Sequence, residues 1–100
     1  MTLEPLNLSD FSPHLYSQFS LYYDEENQPL TLDLIEICEL STERLGDLGQ
    51  SFSLVFRHQS DTAIPQKIYQ LKHDRMGDLN IFLVPIGPDQ KGMRYEAIFN

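Results

Sequence analysis

The side chains in this chain best suited to acid–base or metal chemistry are His14, His58 and His73, with a carboxylate close to two of them. Asp74 follows His73 directly, and Asp61 stands shortly after His58. A histidine oriented by a carboxylate is a common general base, and Ser51, Ser53 and Ser60 are hydroxyls of the kind such a base activates. His58, Asp61, His73 and Asp74 therefore form a candidate polar pocket for a small enzyme or a ligand-binding protein. The sequence around them lacks the companions of that chemistry. No Gly-x-Ser-x-Gly elbow presents a serine. No histidine pair has helical ligand spacing and no second cysteine stands beside Cys38, so no zinc site is expected. Gly46, Gly49, Gly77, Gly87 and Gly92 all fall in turn-like segments and spell no phosphate-binding fingerprint. The expectation is no catalytic residue, no metal and no cofactor, with contact ranked ahead of catalysis.

The elements that would position these groups are mostly strands. Ser9, Asp10 and Ser12 are good helix N-caps, and Pro13 suits a first helical position, so a short helix or turn is expected near residues 9–17. From Gln18 the apolar period becomes two. Phe19, Leu21 and Tyr23 share one face, and Asp24 to Pro29 reads as a polar hairpin loop. Leu30, Leu32 and Leu34 alternate, but Ile35 and Ile37 resume in the opposite phase, which predicts a β-bulge. Ser41 to Gln50 reads as a loop. Phe52, Leu54 and Phe56 point inward from a third strand, and His58 continues that face. Tyr69, Leu71 and His73 share a face of a fourth strand over 67–73, and Asp74 to Gly77 makes a tight turn.

The fifth strand, Leu79 to Ile86, differs from the rest. Leu79, Ile81 and Leu83 line one face, while Phe82 and Val84 line the other. A strand apolar on both faces needs cover on both, so either the N-terminal segment or a partner is expected over it. Gly87 to Gly92 reads as a turn cluster. Met93, Tyr95, Ala97 and Phe99 then alternate inward on a last strand, which leaves Arg94, Glu96 and Ile98 outside. Phe82, Val84, Arg94, Glu96 and Ile98 are the candidate interaction surface, with the terminal strand expected to offer an open edge.

The fold class expected is mainly β: a small antiparallel barrel or barrel-like sandwich of about six strands with a short N-terminal helix. One domain over residues 1–100 is expected, with an N-terminal segment over 1–17 and an antiparallel meander over 18–100. A bulged, bent strand favours the barrel.

Charge is uneven. Residues 1–50 carry Glu4, Asp10, Asp24, Glu25, Glu26, Asp33, Glu36, Glu39, Glu43 and Asp47 against Arg44 alone, a balance of −9 within a total of −8. An acidic surface repels phosphate backbones, so no nucleic-acid partner is expected. Lys72, Arg75, Lys91 and Arg94 read as a solvated rim. Cys38 reads as a small buried hydrophobe. The start Met1-Thr2-Leu3-Glu4-Pro5 lacks a signal-peptide pattern, and no apolar run is long enough for a membrane span. A cytoplasmic protein is expected, with incorporation into a larger assembly a further possibility.

Several runs together resemble a known group. They are Phe52-Ser53-Leu54-Val55-Phe56-Arg57, Pro65-Gln66, His73-Asp74, Phe82-Leu83-Val84-Pro85, Gly87-Pro88-Asp89 and Gly92-Met93-Arg94-Tyr95-Glu96-Ala97. With Leu8-Ser9-Asp10-Phe11 and Phe19-Ser20-Leu21, they make the chain similar to a family of small bacterial proteins of unknown function. Some members are encoded beside phage-tail-collar or tail-fibre-like proteins. The resemblance implies a bacterial or phage source and a role in assembly. It carries no catalytic residue across.

The leading expectation is thus a non-catalytic protein-interaction or assembly module, whose partner is a second copy or a tail-fibre-like or surface-appendage protein. The alternatives are the His/Asp pocket and an acidic inhibitor built on Asp24, Glu25, Glu26, Asp33, Glu36 and Glu39. The phase slip after Leu34 is expected to spoil the regular row of acids that such an inhibitor needs.

Overall fold

The computed structural model describes residues 6–23, 28–41, 51–60 and 62–99. A short helix α1 (Leu8–Phe11) runs into a 3-10 helix (Ser12–His14) and then six strands: β1 (Gln18–Tyr22), β2 (Leu30–Ser41), β3 (Ser51–His58), β4 (Lys67–His73), β5 (Gly77–Asp89) and β6 (Gly92–Phe99). All ladders are antiparallel, and the sheet closes into a barrel in the order β1-β2-β3-β6-β5-β4. The barrel alternative is therefore the one realised.

The residues that alternate in the sequence fill the interior. Phe19, Leu21, Leu32, Leu34, Phe52, Leu54, Phe56, Tyr69, Leu71, Leu79, Ile81, Leu83, Tyr95 and Ala97 form one buried core. A small closed barrel packs its interior with its own side chains. Phe11 is fully buried at one rim, where it meets Phe52 and Phe99 at ring separations of 6.1 and 5.6 Å. Asn7, rather than one of the serines, is the N-cap of α1, and its backbone N–H donates to the Asp10 carboxylate at 2.8 Å.

The strand order corrects several expectations. A continuous meander would pair every strand with its sequence neighbour. Instead, two three-stranded meanders, β1-β2-β3 and β4-β5-β6, join through the long-range ladders β3·β6 and β1·β4. As a result β6 lies between β3 and β5, and the open terminal edge expected there does not exist. The turn expected over residues 87–92 shrinks to Gln90 and Lys91. Asp89 Oδ1 accepts the backbone N–H groups of Lys91 and Gly92 at 2.8 and 3.1 Å, which lets Asp89 and Gly92 pair as strand residues.

The bulge in β2 falls where the period slipped, between Leu34 and Glu36. With Ile35 absorbed by the irregularity, Ile37 packs against the core, and Cys38 is exposed opposite Ser53. The expectation of a buried cysteine is overturned for that reason. The same bulge sets Asp33 opposite Arg57 and Glu36 opposite Val55, both turned away from the core. The slip thus joins these two acids on one outer face rather than separating them.

Candidate functional site

The described members of the expected polar pocket, His58, His73 and Asp74, do not converge. β3 and β4 run in opposite directions around the ring, so His58 ends its strand at one rim and His73 at the other. Asp61 lies outside the described residues. His58 borders a recess with Tyr23, Leu30, Ser60, Thr62, Ala63 and Ile64, and its Nδ1–H donates to the Thr31 carbonyl at 2.9 Å.

His73 is buried at the rim that carries α1, in a recess lined by Pro13, His14, Ser17, Gln18, Asp74 and Arg75. Its ring lies 4.4 Å from the His14 ring and 4.4 Å from that of Phe19. Its hydrogen bonds fix the tautomer. The backbone N–H groups of Arg75 and Met76 donate to Nδ1 at 3.0 and 3.2 Å, so Nδ1 carries a lone pair and Nε2 the proton. Nε2–H then donates to Ser17 Oγ at 2.9 Å, and the Ser17 hydroxyl donates to the His14 carbonyl at 2.6 Å. Burial, then the nearby His14, hold the His73 pKa below 6.5. Asp74 pulls the other way by charge, and Arg75 adds to the depression.

This arrangement is a clasp. A histidine that activates a serine must accept the hydroxyl proton. Here Nε2 donates to Ser17, and the only lone pair is taken up by the turn. What the clasp holds is the junction between the 3-10 helix and β1, centred on Tyr16. Tyr16 has φ 72°, a left-handed backbone that costs an ordinary residue about 1–2 kcal/mol. Its N–H donates to the Leu34 carbonyl at 2.6 Å, and the Leu34 N–H returns a bond to the Ser17 carbonyl at 3.1 Å. No sequence signal marks Ser17 and His14 as partners of His73, because the Ser17 link spans 56 positions and depends on β4 pairing with β1.

The second candidate region is the outer face of the barrel. Ile68 pairs with Phe82 across β4 and β5, and Val84 pairs with Glu96 across β5 and β6. One alternation further along β5 and β6 from that pair lie Phe82 and Ile98. Ile98 in turn faces Ser53 on β3. Ile68, Phe82 and Ile98 are 62, 49 and 56 % exposed, large apolar side chains contributed by three strands of one curved face. Val84 and Glu96 are half-buried beside them. Of the surface residues expected from strand alternation, Arg94 stands apart from this row: its Nε donates to the Gly87 carbonyl at 3.3 Å, next to the β5 bulge. Among the described residues, the N-terminal segment does not supply the cover expected over β5: Phe11 seats it at the rim against Phe52 and Phe99, and Phe82 is exposed.

Among the described residues, no group of three or more His, Cys, Asp or Glu side chains is placed to hold a metal ion. Among the same residues, no helix is long and apolar enough to cross a membrane. Searches of the curated proteins and of the solved structures found no match. Residues 6–99 match the family described as Domain of unknown function (DUF6916), and the chain belongs to that family.

Proposed function

We propose that this family member is a non-catalytic protein-interaction module whose contact face is the outer apolar row Ile68, Phe82 and Ile98, with Val84 and Glu96 at its margin. The observation that carries the reading is the exposure of those three large side chains on adjacent strands. Isolated apolar residues are ordinary on a surface, whereas a contiguous group marks a contact site. The row also includes the strand whose two apolar faces called for cover. The donor role of His73 supports contact over catalysis, because the serine beside it meets a donor and not a base.

Within this reading the chain serves in assembly. It is made in the bacterial cytoplasm and incorporated with a tail-fibre-like or surface-appendage protein, as its resemblance to neighbours of phage-tail genes suggests. Association is driven by apolar burial at roughly 25 cal/mol per Å², and the charge of Glu96 at the margin biases the approach of the partner.

The test is sedimentation equilibrium of the wild type and of Phe82→Asp, each alone and mixed with the tail-fibre-like protein of the same genome. The wild type is expected to gain mass in at least one setting, and the variant to remain a monomer in both. A wild type that stays monomeric throughout, or a variant that associates equally well, overturns the proposal.

A further inference from the structure

The recess around His73 joins three features that need not occur together: a buried ionisable ring, a hydrogen-bond pattern that admits one protonation state, and a left-handed tyrosine held by that pattern. We propose that His73 is a pH-responsive latch that, when neutral, fastens the junction between the N-terminal segment and β1 to the β4–β5 turn and, when protonated, releases it.

The geometry dictates the direction. An imidazolium carries N–H groups on both nitrogens. Protonating Nδ1 would aim a third donor at the backbone N–H groups of Arg75 and Met76, so both bonds must break or the ring must leave. The ring has little to stabilise a charge where it lies. The 3-10 helix presents His14 and β1 presents the Phe19 ring, with the Ser17 hydroxyl just before it. The turn presents Arg75, a like charge, and Asp74, the one group of opposite sign. The depressed pKa of the ring agrees with this balance.

Tyr16 makes the junction two-state. Its left-handed backbone persists because bonds on both sides hold it, to Leu34 on β2 and through Ser17 to His73. When the Ser17 clasp opens, the strain favours a return to ordinary φ, and the recess lined by Pro13, His14, Ser17 and Asp74 widens. Phe11 stays seated against Phe52 and Phe99, so the movement is confined to the junction.

Amide hydrogen exchange by NMR tests this directly, because the N–H groups of Tyr16, Ser17, Arg75 and Met76 all take part in the closed state. Their protection factors, which remove the intrinsic pH dependence of exchange, are followed from about pH 7.5 to about pH 5. Below about pH 6.5 protection at these amides is expected to fall by up to about tenfold per pH unit, until the pKa of the closed state is reached. The Leu54 amide, at the centre of β3, is expected to hold.

His73→Asn keeps a side-chain oxygen for the turn and does not titrate, so its protection is expected to be flat with pH. His14→Gln is expected to keep a pH response at these amides, over a narrower range because His14 helps to hold the His73 pKa down. Ser17→Ala, which removes only the clasp, is expected to leave Tyr16 and Ser17 weakly protected at every pH. Protection that ignores pH in the wild type overturns the latch. So does a pH response that survives in His73→Asn or vanishes in His14→Gln.

Discussion

Asp89 grips Arg57 with both carboxylate oxygens, Nε at 3.1 and 3.0 Å and Nη2 at 2.6 Å, while the same carboxylate caps the turn between β5 and β6. Arg57 sits on β3 and Asp89 at the end of β5, so the pair bridges β6, which lies between them. The hydrogen bond from Arg57, helped by the Lys91 N–H, lowers the Asp89 pKa to about 2.

A depressed acid contributes stability above its unfolded pKa and loses it as pH falls through the folded one. Thermal melts of the wild type are therefore expected to lose an Asp89 contribution between about pH 4 and pH 2. Asp89→Asn is expected to melt lower at pH 7 and to show a shallower acid slope. An unchanged slope in the variant would assign the acid loss to other carboxylates.

Gly92 admits no side chain. Its φ is +148°, and a Cβ there would collide with the His58 carbonyl oxygen and stand 2.9 Å from Gln59 Cα, both backbone atoms. Gly92→Ala is expected to cost about 1–3 kcal/mol from conformation alone, with the clash added, measured by urea denaturation. The Met93 N–H bond to the Ser60 carbonyl at 2.9 Å, which ties β6 to the segment after β3, should weaken with it.

Phe11→Ala removes a fully buried ring from the rim. Large-to-small changes of this kind cost about 3–5 kcal/mol. The loss is expected in calorimetry, together with new solvent exposure of Phe52 and Phe99, which stack at 4.7 Å beneath the missing ring.

The Tyr69 hydroxyl donates to the Pro65 carbonyl at 2.6 Å, and burial, followed by Tyr23 and Tyr95, raises its pKa above 10.0. The fold thus favours the protonated phenol. That stability is complete below pH 10 and lost as pH rises through the raised value. Tyr69→Phe is expected to cost about 1 kcal/mol at neutral pH and to flatten the alkaline limb of the stability curve.

Much of the barrel was legible because its strands are amphipathic with period two. β4 alternates over 67–73, and β3 spans 51–58 as the spacing of Phe52, Leu54 and Phe56 predicts, although Ser53 and Val55 on its other face are buried as well. Phe82 and Val84 could be assigned to the outer face on phase alone. What alternation cannot specify is which strands meet beyond the hairpins. The ring order placed β4 beside β1, and that one fact determined that His73 would meet Ser17 and not His58. The exposure of Cys38 had a local cause that was also hidden. A phase slip says that some residue leaves the ladder, but the choice of Ile35 follows from which apolar neighbours fit the core.

The two long-range ladders have a kinetic meaning. Each three-stranded meander is assembled from neighbours in sequence and can form early, but β1, β3, β4 and β6 remain raw edges until the halves meet. The interval before closure is when this chain is most exposed to pairing with the wrong strand. Conditions that slow the docking of the halves are therefore expected to lower the yield of refolded protein more than its final stability would suggest.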